Sequence, residues 1–290
     1  MTRHSETQRL KWALAISLIY FFAELIAGFL TNSLALLSDA GHMLSDIGAL
    51  ALSLFAFYMA RRPATHQSTY GFHRFEILVA LFNGLTLWLI VGIIFTAAYN
   101  RLSNPPVVES YGMMIVAVLG LFVNLAAAAI LHGGHHHNLN LRGAFLHVVS
   151  DAIGSVGAIV AGAIMLTTGW YLADPLISVF IGVLILFSSW TLVKESLSVL
   201  MQAVPKGIRL DEVRETIEAV DGVSEVHDLH VWAVTSDIFT LSAHAVVENG
   251  GDFHEVLNGI EDTLKARFNI EHTTIQLETE SREDKEFKAF

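Results

Sequence analysis

At 290 residues with 53% hydrophobic and only 16% charged, the chain falls well short of the roughly one-quarter charged content of a soluble domain. It has no cysteine, which excludes a disulfide framework and any thiolate metal site, and its net charge of −11 excludes the basic stripe that nucleic acid requires. That charge is uneven: residues 205–290 hold 8 Lys and Arg against 19 Asp and Glu, whereas residues 1–204 hold 9 of each.

Two solvents follow, lipid for 1–204 and water for 205–290. The opening Met1–Lys11 is polar and carries no small-residue cleavage site, so no removable signal peptide is expected. Six apolar stretches then reach the roughly 20 residues that a helix needs to cross hydrocarbon: about Trp12–Leu30, Leu34–Ala60, Ile77–Tyr99, Tyr111–Leu131, Ala144–Leu166 and Leu172–Val193. Between them stand turn formers, among them Thr31-Asn32-Ser33, Arg61-Arg62-Pro63, Asn104-Pro105-Pro106 and Asp174-Pro175. Arg3, Arg9, Lys11, Arg61, Arg62, Arg74, Arg142, Lys194 and Lys206 all fall on one side of such a bundle, and Arg101 alone on the other. The positive-inside rule therefore puts both ends in the cytoplasm.

After Pro205 the pattern shortens. Asp211–Val220 and Phe253–Phe268 have helical spacing, while Val226–Val234, Thr240–Val247 and His272–Glu280 alternate as strands. The order αββαβ predicts a small α+β domain of the ferredoxin-like kind.

Ionisable groups inside a span are costly and point to function. The second span holds Asp39, His42 and Asp46, and the fifth holds His147 and Asp151. His42–Asp46 and His147–Asp151 share the spacing His-x-x-x-Asp, which sets both side chains of each pair on one helix face, one turn apart. If the faces meet, two imidazoles and two carboxylates converge in a tetrahedral set that suits zinc. All four must shed protons to bind, so metal and protons compete for the site. The bland alternative is polar glue between helices. Asp39, one turn before His42, is an accessory proton acceptor or an outer partner of the site. Glu24, Asn83 and Asn124 are expected to bond between helices.

Histidines outside the spans are less specific. His132 and His135–His137 lie in a cytoplasmic loop able to collect metal, and His66 and His73 flank Tyr70-Gly71, where a structural role is expected. In the tail, His227 opens one expected strand, His244 sits on the next and Glu278 on the last, and the three form a sterically reasonable site if those strands pair. His227 and His230 are three apart on one strand and point to opposite faces, so they are not expected to share an ion.

These motifs resemble the cation diffusion facilitator family, in particular its zinc, cadmium and cobalt branch. The matching runs are Ser33–Asp46, Tyr70–Arg74 with Glu76, Asn140–Asp151, Val226–Trp232 and His272–Glu278, spread over nearly the whole chain. The resemblance implies a multi-pass helical membrane protein of the plasma (inner) membrane, with a transport domain at 1–204 and a cytoplasmic domain for metal binding and dimerisation at 205–290. It implies a homodimer that exports zinc against protons by alternating access. Zinc would be both substrate and regulator, with metal ions, protons, the bilayer and a second copy as partners and no organic cofactor or nucleic acid. His42, Asp46, His147 and Asp151 would be the transport ligands, and His227, His244 and Glu278 the cytoplasmic ones. Thr65, Ser68 and Phe72 stand where some relatives carry ligands of an extra loop metal, so that site is not expected here. Ala97 and Asn100 replace acidic residues common at the end of the third span.

Two imidazoles favour zinc and its neighbours over Mg²⁺ or Mn²⁺ without separating Zn²⁺ from Cd²⁺, Co²⁺ or Ni²⁺. An intramembrane metalloenzyme is disfavoured because His-Glu-x-x-His is absent from the sequence and four ligands leave no open position. A membrane-anchored sensor gives the buried ligand pairs no purpose.

Overall fold

The computed structural model describes the backbone of residues 2–132, 139–235, 237–248 and 252–281, and their side chains except at 2–14, 53, 54, 57, 130–132 and 139–147. Six long helices come first: α1 (Thr2–Thr31), α2 (Leu34–Ala60), α3 (Phe75–Ser103), α4 (Ser110–His132), α5 (Leu139–Thr168) and α6 (Ala173–Leu200). The shorter elements α7 (Leu210–Glu218), β1 (Val223–Ala233), β2 (Phe239–Val247), α8 (Phe253–Phe268) and β3 (Ile270–Glu278) complete the expected αββαβ order. Two compact units result, one of Met1–Leu52 with Phe82–Leu192 and one of Ser53–Leu81 with Val193–Phe290.

Among the described residues, four helical segments are long and apolar enough to cross a membrane: Phe75–Ser103, Ser110–Ala129, Val148–Thr168 and Ala173–Leu200. Ala15–Thr31 in α1 is apolar but shorter. Four crossings are therefore carried by length and composition, and the expected count of six goes beyond them.

The membrane unit is assembled by small and polar residues turned inward. Ala35, Ala117, Ala158 and Ala161 are buried with Leu36, Leu87, Val91 and Met113, whereas Ile19, Leu30, Phe122 and Phe187 face outward. Lipid tails are as apolar as leucine, so helices associate through close packing and hydrogen bonds rather than hydrophobic expulsion. α1 and α4 approach closely where a Cβ placed on Gly120 would strike the Tyr20 hydroxyl. Between α2 and α3 Ser45 Oγ donates to Asn83 Oδ1 at 3.0 Å, and between α4 and α5 Asn124 Nδ2 donates to Ser155 Oγ at 3.4 Å. Both asparagines thus bond between helices, as expected.

The turn between α1 and α2 uses Asn32 in the left-handed region (φ 57°), which ends α1 as a C′ residue does. The open N–H groups of α2 are then met from another helix. Asp174 in the first turn of α6 is fully buried and accepts from Ser33 Oγ at 2.7 Å, Leu34 N at 2.8 Å and Ala35 N at 3.2 Å. Arg101 from α3 pairs with the same carboxylate at 3.2 Å and donates to the Asn32 carbonyl at 2.7 Å. A helix N-terminus favours negative charge, and here a neighbouring helix supplies it.

In the second unit the sheet order is β1-β2-β3, with β1 antiparallel and β3 parallel to β2. α8 is the crossover that a parallel pair needs. It begins with Asp252 accepting from His254 N at 2.8 Å and ends on left-handed Asn269. Along β2, Leu241, Ala243 and Ala245 are buried while Ser242 and His244 are half-buried, a period of two with one face inward. That inward face meets Val213 and Ile217 of α7 and Val256, Ile260 and Leu264 of α8. Burying Leu241, Ile260 and Leu264 stabilises the domain by about 1.5–3 kcal/mol each. His244 is left on the opposite face. Within this unit the Tyr70 ring also meets the His272 ring edge-on, with centroids 5.7 Å apart.

Candidate metal centres

The membrane unit brings ligand-type groups of α2 and α5 together. His42 Nε2 lies 3.6 Å from Asp46 Oδ2 one turn along α2, and 3.8 Å from Asp151 Oδ1 on α5. His42 and Asp151 are 13% and 12% exposed, so both sit inside the bundle with limited access. Four ligand atoms around a zinc ion at about 2.0–2.2 Å stand roughly 3.3–3.6 Å apart. The two distances are close to such edges and longer than hydrogen bonds. His147 lies in α5 one turn before Asp151, and its side chain lies outside the described residues, as do that of His132, which ends α4, and the segment 133–138 with His135–His137.

Asp39 is buried on α2 beside α5, where a Cβ on Gly154 would stand 3.7 Å from its Oδ1. Its carboxyl neighbours that of Glu24 on α1, which accepts from Tyr20 Oη at 3.1 Å. Glu24 thus stands between α1 and α2, while its hydrogen bond to Tyr20 lies within α1.

In the second unit, His227, His244 and Glu278 offer three ligand atoms within 4.8 Å of one another, the group of this kind found among the described residues. His227 and His244 face each other directly across the antiparallel ladder, and Glu278 comes from the far side of β2. His227 Nε2 lies 3.4 Å from Glu278 Oε2, and His244 Nδ1 lies 3.5 Å from Glu278 Oε1. His227 and Glu278 are about 5% exposed, while His244 is half-buried. His230 corrects the expectation drawn from the strand period. His227 pairs with His244 and His230 with Ser242, two residues along β2, so the bulge between them leaves both histidines on the same face, His230 exposed to solvent. A buried carboxylate between two imidazoles, with edges that fit a tetrahedron, is a donor set suited to a transition metal.

Sequence reasoning missed three participants. Asp174 read as a mere turn marker, although it anchors α2. Asp228 and Glu225, neighbours of His227, face the ring nitrogens of His244 and His227 that point away from Glu278. Glu225, two residues before His227, shares its face by the strand period, whereas the contact of Asp228 with His244 appears only once β1 and β2 pair.

The description of the cation efflux transmembrane domain matches residues 10–201, and that of the cytoplasmic domain of cation efflux proteins matches residues 205–280. The chain belongs to the cation efflux family. It is a multi-pass integral membrane protein of cation efflux, a secondary transporter and not an enzyme. Among similar cation efflux proteins, a cadmium, cobalt and zinc/H(+)-K(+) antiporter of Bacillus subtilis is 46% identical over 267 residues, 90% of this chain and 86% of its own length. The metal cation efflux system protein CzcD of Cupriavidus metallidurans is 46% identical over 270 residues, 93% and 85% of the two chains. The zinc transporter ZitB of Escherichia coli is 39% identical over 277 residues, 94% and 88% of the two chains. The solved metal-bound C-terminal domain of the CzcD transporter from C. metallidurans is 40% identical, covers 24% of this chain and 99% of its own, and has a TM-score of 0.24.

Proposed function

We propose that this protein exports a divalent metal, zinc foremost and cadmium or cobalt alongside it, from the cytoplasm in exchange for protons. His42, Asp46, His147 and Asp151 hold the cargo at mid-membrane. The observation that carries the reading is the approach of His42 on α2 to Asp151 on α5 at 3.8 Å, with Asp46 3.6 Å from the same imidazole nitrogen. The names of the relatives support the cargo and the antiport.

The chemistry follows from the donors. An imidazole binds metal through a lone pair that protonation removes, and a carboxylate binds it as an anion. With two of each, a bound dication is charge-neutral, so the loaded site is tolerable in low dielectric. When the metal leaves on the far side, two bare carboxylates in hydrocarbon are not tolerable, and protons are the replacement at hand. Protons entering with the return step are then displaced by the next metal ion on the cytoplasmic side. Buried Asp39, beside Glu24, stands close enough along α2 to share that proton traffic. A ligand set drawn from two helices also gives α2 and α5 a way to release cargo by moving apart.

The rest of the proposed arrangement is a subunit of six spans with both termini in the cytoplasm, residues 1–204 as the transport domain and 205–290 as the cytoplasmic one. Two copies pair through the cytoplasmic domain, and His227, His244 and Glu278 take up zinc as a regulatory signal.

Proteoliposomes loaded with a zinc-sensitive dye and given a transmembrane pH gradient test the reading. Zinc should enter against the proton flow, lumenal pH should change in step, and Asp151→Asn should abolish both. Zinc movement without proton movement would end the antiport; proton-coupled movement unchanged in Asp151→Asn would end the site.

A further inference from the structure

Among the described residues, each imidazole of the cytoplasmic cluster faces two carboxylates, one at each ring nitrogen. His227 turns Nε2 to Glu278 at 3.4 Å and Nδ1 to Glu225 Oε1 at 3.5 Å. His244 turns Nδ1 to Glu278 at 3.5 Å and Nε2 to Asp228 Oδ2 at 3.8 Å. A neutral imidazole has one N–H and one lone pair, and the nitrogen that keeps the proton cannot take a metal. The two rings present opposite nitrogens to Glu278, so no common tautomer serves both. Each must be set separately.

We propose that Glu225 and Asp228 are positioning residues for a divalent-metal site at His227, His244 and Glu278. Glu225 keeps the proton of His227 on Nδ1, Asp228 keeps that of His244 on Nε2, and the two remaining lone pairs converge with Glu278 on one ion. The proposal rests on the reading of these three residues as a metal site.

The backbone around Asp228 is built for this role. In a regular strand Asp228 would point away from the face of His227, because successive side chains alternate. The ladder instead slips between His227 and His230, and Asp228 adopts φ +47°, a conformation that L residues other than glycine occupy at a cost. The bulge turns the carboxylate toward His244 on the neighbouring strand. His230 Nε2 holds it there, 2.9 Å from Oδ1. Glu225 accepts from Ser281 Oγ at 3.2 Å, and that hydroxyl also stands 3.4 Å from His227 Nδ1, so it shares with Glu225 the side of the ring turned from Glu278. Strain kept in place by a hydrogen bond on one side and facing a ligand-type imidazole on the other marks Asp228 as more than a turn residue.

Charge points the same way. A dication with Glu278 alone leaves one positive charge in a largely buried place, and Glu225 and Asp228 bring two negative charges beside it. A carboxylate behind a ligating imidazole also makes the ring a stronger donor to the metal. Contacts of 3.5 and 3.8 Å exceed a closed hydrogen bond; binding that orders both rings draws them shut.

The test uses the full-length protein in detergent micelles, with His42→Ala and Asp151→Asn silencing the membrane site. Zinc is titrated against a chromophoric chelator. Asp228→Asn and Glu225→Gln should each weaken the cytoplasmic site about 10–100-fold, leaving the metal-free melting temperature unchanged. Nitrogen NMR of histidine-labelled protein should show His244 losing its single tautomer in Asp228→Asn. A purely structural role would instead lower the melting temperature and leave the tautomer alone. If the Glu225→Gln/Asp228→Asn double variant binds zinc as the parent does, while His244→Ala does not, the positioning role is overturned and the three-residue site stands. If His244→Ala also binds as the parent does, the metal lies elsewhere and both readings fall.

Discussion

The Nε2 atom of His42 on α2 and the Oδ1 atom of Asp151 on α5 are 3.8 Å apart, too far for a hydrogen bond and close to the spacing of two ligands on one zinc ion. Asparagine at 151 would keep the volume and remove the charge. Zinc uptake by inside-out vesicles should then fall by more than the roughly 10–100-fold that loss of an outer-shell partner costs, with the elution profile of the purified protein unchanged. A rate within about a factor of two of the parent, against that 10–100-fold scale, would remove this pair from the transport path.

Cargo preference should follow the imidazoles. His42→Asp would change the donor set toward oxygen, which favours harder cations. Competition assays on the variant should therefore show Mn²⁺ gaining on Zn²⁺, with Cd²⁺ losing most. An unchanged ranking would mean that selectivity is decided elsewhere than at His42.

What could be read from the chain, and what could not, divides by the range of the interaction. The His-x-x-x-Asp pairs were legible because a helix repeats every 3.6 residues, so four residues apart is one face whatever surrounds it. The bounds of α8, Phe253–Phe268, were legible from its periodicity alone. Helix ends in the membrane unit were not. α3 runs to Ser103 and α6 to Leu200, past their apolar stretches, since hydropathy follows the hydrocarbon while backbone hydrogen bonding continues into water. The bulge at Asp228 depends on pairing with β2 and has no local signature. Asp174 caps a helix whose first residues lie about 140 positions earlier, which no local pattern announces.

The close approach of α1 and α4 makes Gly120 sensitive to a single methyl group. Its Cβ would enter the space of the Tyr20 hydroxyl, itself fixed by Glu24 and buried. Gly120→Ala should cost about 1–3 kcal/mol, the usual penalty of overpacking. Thermal unfolding in detergent reads it. Tyr20→Ala removes the obstacle, so Gly120→Ala made on that background should cost nearly nothing. An equal cost on both backgrounds would place the strain in α4 alone.

Asp174 should matter to stability more than its place at a helix end suggests. Its carboxylate is fully buried and meets Ser33 Oγ, two backbone N–H groups of α2 and the Arg101 guanidinium. Asp174→Ala leaves the α2 N-terminus without its cap and Arg101 without its partner. Removing one member of a buried ion pair costs about 3–5 kcal/mol and a cap about 1 kcal/mol. Because Arg101 is 18% exposed and can turn to water, a loss of about 3 kcal/mol is expected. Arg101→Ala is expected to cost less, since three neutral donors still hold the carboxylate. In a double-mutant cycle followed by unfolding in mixed micelles, the pair should fall short of additivity by about 0.5–3 kcal/mol. Strict additivity would show that Asp174 acts on α2 through its backbone contacts alone, with Arg101 a bystander at the end of α3.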